Sequence, residues 1–154
     1  MAAYFFDSSA LVKRYAREAG TSWVISLFRP SNLSRVYVAR ITSVEVISAL
    51  SRRVRAGKLD AHLSSRASAR FRRAFTARFR KVEITETLID RATSLAEKHA
   101  LRGYDAVQLA AVLMANEARL AAGAAQLILI SSDDAMNSAA VAEGLAMDNP
   151  NLHP

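Results

Sequence analysis

The chain contains no cysteine. A disulfide, a thiolate-bound zinc and a cysteine nucleophile are all excluded, and this usage fits a reducing compartment, so the cytoplasm is the expected location. Glycine is scarce, with 5 in 154 residues, and neither G-x-x-x-x-G-K-[ST] nor G-x-G-x-x-G occurs, which leaves no glycine-rich loop to cradle a nucleotide's phosphates. No long apolar run is present: Leu120 to Ser132 is broken by Gly123 and Gln126 and falls short of the roughly 20 apolar residues a membrane span requires, so no membrane association is expected. Ala2 to Phe6 passes directly into Asp7 without the basic segment of an export signal. His62, His99 and His153 are too scattered to pair on a zinc and read as surface residues. The nucleophile elbow G-x-S-x-G is missing too.

One further absence is local. Between Ala61 and Val82 there is no acid, while Arg66, Arg70, Arg72, Arg73, Arg78, Arg80 and Lys81 all fall there. The formal charge of +7 resides in that segment: removing its seven from 21 basic residues leaves as many basic as acidic ones, 14 of each. Leu63, Ala67, Phe71, Phe75 and Phe79 recur at four-residue steps through the same stretch, an apolar stripe that predicts core packing. Arg66, Arg70 and Arg73 share the other face, a candidate surface for RNA or another polyanion.

What remains is a folding composition, 51% apolar and 23% charged, of a length that suits a single domain over residues 1–154. Short runs rich in β-branched or aromatic residues predict strands at Ala2 to Phe6, Val36 to Ile41, Val82 to Ile84, Leu127 to Ile130 and Leu145 to Met147. Helical patterns separate them, at Ser9 to Glu18, Thr21 to Phe28, Val44 to Ala56, Ala61 to Arg80, Glu86 to His99, Asp105 to Ala122 and Ala135 to Glu143. Such alternation implies an α/β fold with a mostly parallel sheet of about five strands, covered on both faces by helices.

Ligands of such sheets bind beyond the carboxyl ends of the strands. Four carboxylates belong there: Asp7 and Asp133 follow the first and fourth strands, Glu45 lies just after the second, and Asp105 opens a helix. Each alone is explained by favourable acids at helix N-termini, and Thr42-x-x-Glu45 fits a capping box. Capping does not explain their convergence on one edge, where mutual repulsion would raise their pKa values unless a cation intervened. Oxygen-only ligands suit Mg²⁺ or Mn²⁺, ions that promote in-line phosphoryl displacement by an activated water. Asp7 as a phosphatase nucleophile is a weaker reading, because the acid such enzymes carry two positions on is here Ser9.

Four segments resemble the PIN domain, and more narrowly the VapC-like toxins of bacterial toxin-antitoxin pairs. They are Asp7-Ser8-Ser9-Ala10-Leu11-Val12-Lys13, Thr42-Ser43-Val44-Glu45-Val46, Leu101-Arg102-Gly103-Tyr104-Asp105-Ala106-Val107-Gln108 and Ile130-Ser131-Ser132-Asp133, with Asn149-Pro150 at the end. The resemblance implies a three-layer α/β/α sandwich, dependence on Mg²⁺ or Mn²⁺, and endoribonuclease activity restrained by a cognate antitoxin. It also implies a homodimer. Carried over by position, Asp7, Glu45, Asp105 and Asp133 are the metal-binding and catalytic acids. Ser9 and Ser131 stand where supporting hydroxyls or amides occur, and Asp134 competes with Asp133 as the fourth acid. From the residues alone two alternatives stay open, a non-catalytic RNA- or DNA-binding or interaction protein on the same scaffold and a nuclease that cleaves DNA.

Overall fold

Strand residues of the chain alternate between two cores. Ala3, Phe5, Leu127 and Leu129 are buried in one apolar cluster, while Phe6, Val36, Val38 and Ile130 are buried in another, the two-residue period expected of strands covered on both faces. The computed structural model describes residues 2–154, with side chains for all but 32–34. Its five strands are β1 (Ala3–Phe6), β2 (Val36–Ala39), β3 (Arg80–Val82), β4 (Leu127–Ile130) and β5 (Ala146–Asp148). They form one sheet in the order β3-β2-β1-β4-β5, and all its pairings are parallel.

Among the described residues, seven α-helices cover the sheet: α1 (Ser8–Leu11), α2 (Thr21–Leu27), α3 (Thr42–Arg55), α4 (Ala61–Ala77), α5 (Glu86–His99), α6 (Gly103–Ala121) and α7 (Asp134–Ala142). Buried residues of α1 to α4 join the cluster around Phe6, and those of α5 to α7 join the cluster around Phe5. The result is the expected three-layer α/β/α sandwich. Chain order moves outward from β1 to β3 and then returns to the other side of β1, so the direction of winding reverses between β1 and β4, where a crevice opens at the carboxyl edge. Among the described residues, no helix is long and apolar enough to cross a membrane.

Several boundaries differ from the sequence expectation for identifiable reasons. The first helix, expected to run to Glu18, gives way to a 3-10 turn at Val12–Arg14, because Thr21 Oγ1 donates to the Lys13 carbonyl at 2.9 Å and the chain folds back. Gly20 makes that fold possible: its φ is +83°, and a Cβ there would collide with the Pro150 carbonyl. The second strand ends at Ala39 rather than Ile41, which caps α3. Helix α4 ends at Ala77 rather than Arg80, and the third strand occupies Arg80–Val82 rather than 82–84, so that Arg80 and Lys81 belong to the sheet. Along the apolar stripe of α4, Ala67, Phe71 and Phe75 are buried as expected, as is Phe79 beyond its end, but Leu63 is 54% exposed.

Candidate active site

The first strand ends in a carboxylate held from three directions. Asp7 caps α1 by accepting the Ala10 N–H at 2.9 Å, takes the Ser9 hydroxyl at 2.8 Å, and receives the Ser131 hydroxyl from the neighbouring strand exit at 2.7 Å. The same two serines accept from the next backbone turn, Ser131 Oγ from the Asp133 N–H and Ser9 Oγ from the Ser132 N–H. Both hydroxyls are thereby oriented to donate to Asp7. Asn137 fixes this turn by donating its side-chain amide to the Ser131 carbonyl.

Glu45 sits in the first turn of α3, as expected, but the capping box does not form. Ile41 is the N-cap, with no side-chain cap bond, and the Glu45 carboxylate turns inward to accept from Ser8 Oγ at 2.9 Å and Gln108 Nε2 at 2.7 Å. Gln108 also donates to the buried Thr42 hydroxyl. Asp105 lies three residues before Gln108 on α6, the spacing that puts both on one helix face. Asp133 caps α7 through the Met136 N–H, and Arg102 reaches across the crevice to Asp105 at 3.1 Å and Asp133 at 2.9 Å.

Asp7, Glu45, Asp105 and Asp133 all line one cleft of about 700 Å³. Ser9 lines it as well, whereas Ser131 stands behind Asp7. Asp134 is exposed on the first turn of α7 and does not line the cleft, so of the two neighbouring aspartates Asp133 is the one placed there. Arg66, Arg70 and Arg73 are exposed on α4 and do not line the cleft either. Ser8, Arg102 and Gln108 received no role from the sequence. Gln108 had a usable signal, a polar residue one helical turn from Asp105 within an otherwise apolar run.

The electrostatics of the cleft are strained in one sign. Burial pushes Asp7 up to about 6, against the three donors that hold it, and the charge of Glu45 adds to the rise. Burial likewise raises Glu45, helped by the charge of Asp105, and it raises Asp105, helped by the charge of Asp133. Arg102 opposes this at Asp105, but its side chain is 77% exposed. Asp7, the most deeply buried, has only neutral donors. Among the described residues, no three acids or histidines are already gathered as a metal-binding group. The donor set nevertheless fits a hard divalent cation: it is all oxygen, anionic and mutually repelling, and Gln108 Oε1 and Ser132 Oγ beside it are buried with no partner.

A family model for the PIN domain matches residues 4–142. The chain belongs to the PIN-domain family. Ribonuclease VapC49 of Mycobacterium tuberculosis is 32% identical to this PIN domain over 151 residues, covering 97% of each chain. Among solved structures, VapC20 of Mycobacterium tuberculosis, a toxin that cleaves the sarcin-ricin loop, superimposes with a TM-score of 0.63 at 16% identity over 89% of this chain and 95% of that one. A toxin-antitoxin complex from Klebsiella pneumoniae gives a TM-score of 0.58 at 18% identity over 85% and 87%. The solved structures establish the shared fold. In this PIN domain the four acids come from the starts of α1, α3, α6 and α7, and the pairing of β1 with β4 places Asp7 and Asp133 after neighbouring strands.

Proposed function

We propose that this protein is a metal-dependent endoribonuclease, the toxin of a toxin-antitoxin pair, in which Asp7, Glu45, Asp105 and Asp133 hold Mg²⁺ or Mn²⁺. The observation that carries the reading is the gathering of four like-charged carboxylates around one cleft, the innermost of them buried without a cationic partner. The similarity to VapC49, named a ribonuclease, supports RNA as the substrate. The likeness to a toxin-antitoxin complex supports a cognate antitoxin as partner. The same reading takes the protein as cytoplasmic and homodimeric, the latter checked by sedimentation.

When bound, such an ion supplies Lewis acidity toward the phosphate and lowers the pKa of water. The chain supplies the rest. Ser9, Ser131 and the Ala10 N–H aim the Asp7 carboxylate into the cleft, and the Ser131 hydroxyl ties its orientation to the Asp133 backbone. Gln108 and Ser8 hold Glu45 away from the capping position it would otherwise take. Arg102 restrains Asp105 and Asp133 and, being exposed at the rim, is placed to meet a phosphate once a cation takes over their charge.

The test is incubation of antitoxin-free protein with single-stranded RNA, structured RNA and DNA, in Mg²⁺, Mn²⁺ and EDTA, beside Asp7→Asn and Asp105→Asn. Cleavage of RNA that needs metal and both aspartates is expected. A second reading, a nucleic-acid-binding protein without cleavage, is favoured by one observation: Arg102 already pairs with two of the four acids. Intact RNA bound by folded protein in every metal would decide for it.

A further inference from the structure

Beside the cleft the lining becomes predominantly cationic. Lys13 and Glu18 line both the acidic cleft and a separate cavity of about 580 Å³, which shares Arg14, Tyr15 and Arg70 with an adjoining one of about 320 Å³. Arg73 and Arg78 of the α4 region complete the smaller cavity. Among the described residues the acidic side chain lining this space is Glu18, already engaged by Lys13 at 3.7 Å and Arg53 at 3.1 Å.

Two side chains of this space carry buried polar atoms with no partner among the described residues. Tyr15 is 8% exposed, and its buried hydroxyl has no hydrogen-bond partner among the described residues. Arg14 Nη1 is buried and unpartnered too. The Arg14 guanidinium lies 4.0 Å from the centre of the Phe28 ring, and the Arg70 guanidinium lies 5.9 Å from the Tyr15 ring. Neither makes an ion pair with a carboxylate among the described residues. Burial, with the nearby charges of Arg70 and Arg78, pushes the Arg14 pKa down, so an anion here would relieve both desolvation and repulsion.

We infer that the Arg14, Tyr15, Arg70, Arg73 and Arg78 cavity is a phosphate subsite that grips the backbone of an RNA strand whose scissile bond lies in the acidic cleft. The inference rests on the proposed reading that the cleft takes RNA. Planar guanidiniums match phosphate oxygens two at a time, and the phenol hydroxyl adds a donor to an anion that needs no proton in return. Lys13 and Glu18 line both spaces, so the two sites adjoin. The cleft sets Asp7, Glu18, Glu45, Asp105 and Asp133 against Lys13, Arg52, Arg53 and Arg102 and so offers a polyanion little net attraction, which the adjacent cationic site supplies. An acidic peptide segment of a partner protein is the competing occupant.

The experiment uses the full chain carrying Asp105→Asn, to prevent cleavage, and fluorescence anisotropy of a labelled single-stranded RNA across a salt series. Arg70→Gln and Arg73→Gln should each weaken binding about three- to tenfold and reduce the salt slope by about 0.7, the value for one phosphate contact on a single strand. Arg14→Gln should do the same, provided its thermal transition shows it folded. Tyr15→Phe, which removes only the unpartnered hydroxyl, should weaken binding with the slope unchanged. Lys58→Gln, an equal charge change on an exposed residue outside the cavity, sets the background. Losses no greater than that background would overturn the subsite, as would an oligoglutamate peptide whose binding depends on these residues when that of RNA does not. Cleavage is scored separately in Mn²⁺ with Asp105 intact: subsite losses without cleavage would sink the nuclease reading alone, and cleavage insensitive to the cavity variants would sink the subsite alone.

Discussion

The acidic cleft and the cationic cavity share Lys13 and Glu18, yet they are built on opposite plans. In the cleft the two inner carboxylates are satisfied by neutral donors, and what stays unbalanced is their charge: Asp7 takes two hydroxyls and an N–H, and Glu45 a hydroxyl and an amide. In the cavity the hydrogen bonds themselves are missing, at Arg14 Nη1 and the Tyr15 hydroxyl. The cleft is therefore preorganised in geometry and waits for a countercharge. The cavity has its charge and waits for acceptors. On the proposed reading, a single chain carrying both brings a polyanion to a group of carboxylates without either region neutralising the other.

The largest expected effect breaks the acidic side alone. Asp105→Asn should lower RNA cleavage by more than about a hundredfold, beyond the 10- to 100-fold typical of residues that merely support a metal ligand, with an unchanged thermal transition. A folded variant that cleaves at the wild-type rate would remove Asp105 from the site. Next comes the uncompensated charge of Asp7. Its native pKa of about 6 lies above the ordinary 3.8, so the folded state holds the proton more firmly and the associated stability is lost as pH rises from about 4 through 6. In EDTA, denaturant titrations should show about 2–3 kcal/mol of this loss across that window in the wild type. Asp7→Asn should remove it, and parallel pH curves for the two proteins would refute the assignment.

Ser131→Ala sharpens the comparison by testing geometry rather than charge. It removes a donor from Asp7 and an acceptor from the Asp133 N–H, and Mn²⁺ affinity by calorimetry should fall about 10- to 100-fold. Unchanged affinity would mean that neutral donors do not organise the cleft. The smallest effect lies on the cationic side. Arg78→Gln takes away one of the charges that oppose Arg14, and thermal unfolding should move upward by no more than about 0.5 kcal/mol. A clear destabilisation would show that the arginines hold the fold together instead of waiting for a ligand.

Much of this was legible in residue order because it depends on local pattern. The strands around Phe5 and Leu129 announce themselves by apolar alternation, and Asp7 and Asp133 are conspicuous as the first acids after two of them. Where the pattern misled, a longer-range contact had intervened. Thr42 and Glu45 have capping-box spacing, but Ser8 and Gln108, 37 and 63 residues from Glu45, supply better partners for its carboxylate. The edge strand β3 hid at the end of the basic helix because Arg80-Lys81-Val82 is only partly covered and shows no alternation. Arg70 and Arg73 could be assigned to one helix face, but their association with Arg14, far away in the chain, exists only in the folded protein.

The position of β1 has a consequence for how the protein is made. This strand comes first in chain order among the five but occupies the centre of the sheet, and one edge of it is paired by β4 at residues 127–130. The Ser131 hydroxyl comes to Asp7 from 124 residues away. Closure over such a sequence distance is a late event in folding, because the entropy of the intervening loop must be overcome first. The segment that holds Asp7 and Glu45 cannot complete the surroundings of Asp7 until β4 and Ser131 have been made. The surroundings of Asp7 are therefore assembled only once Ser131 has joined the chain.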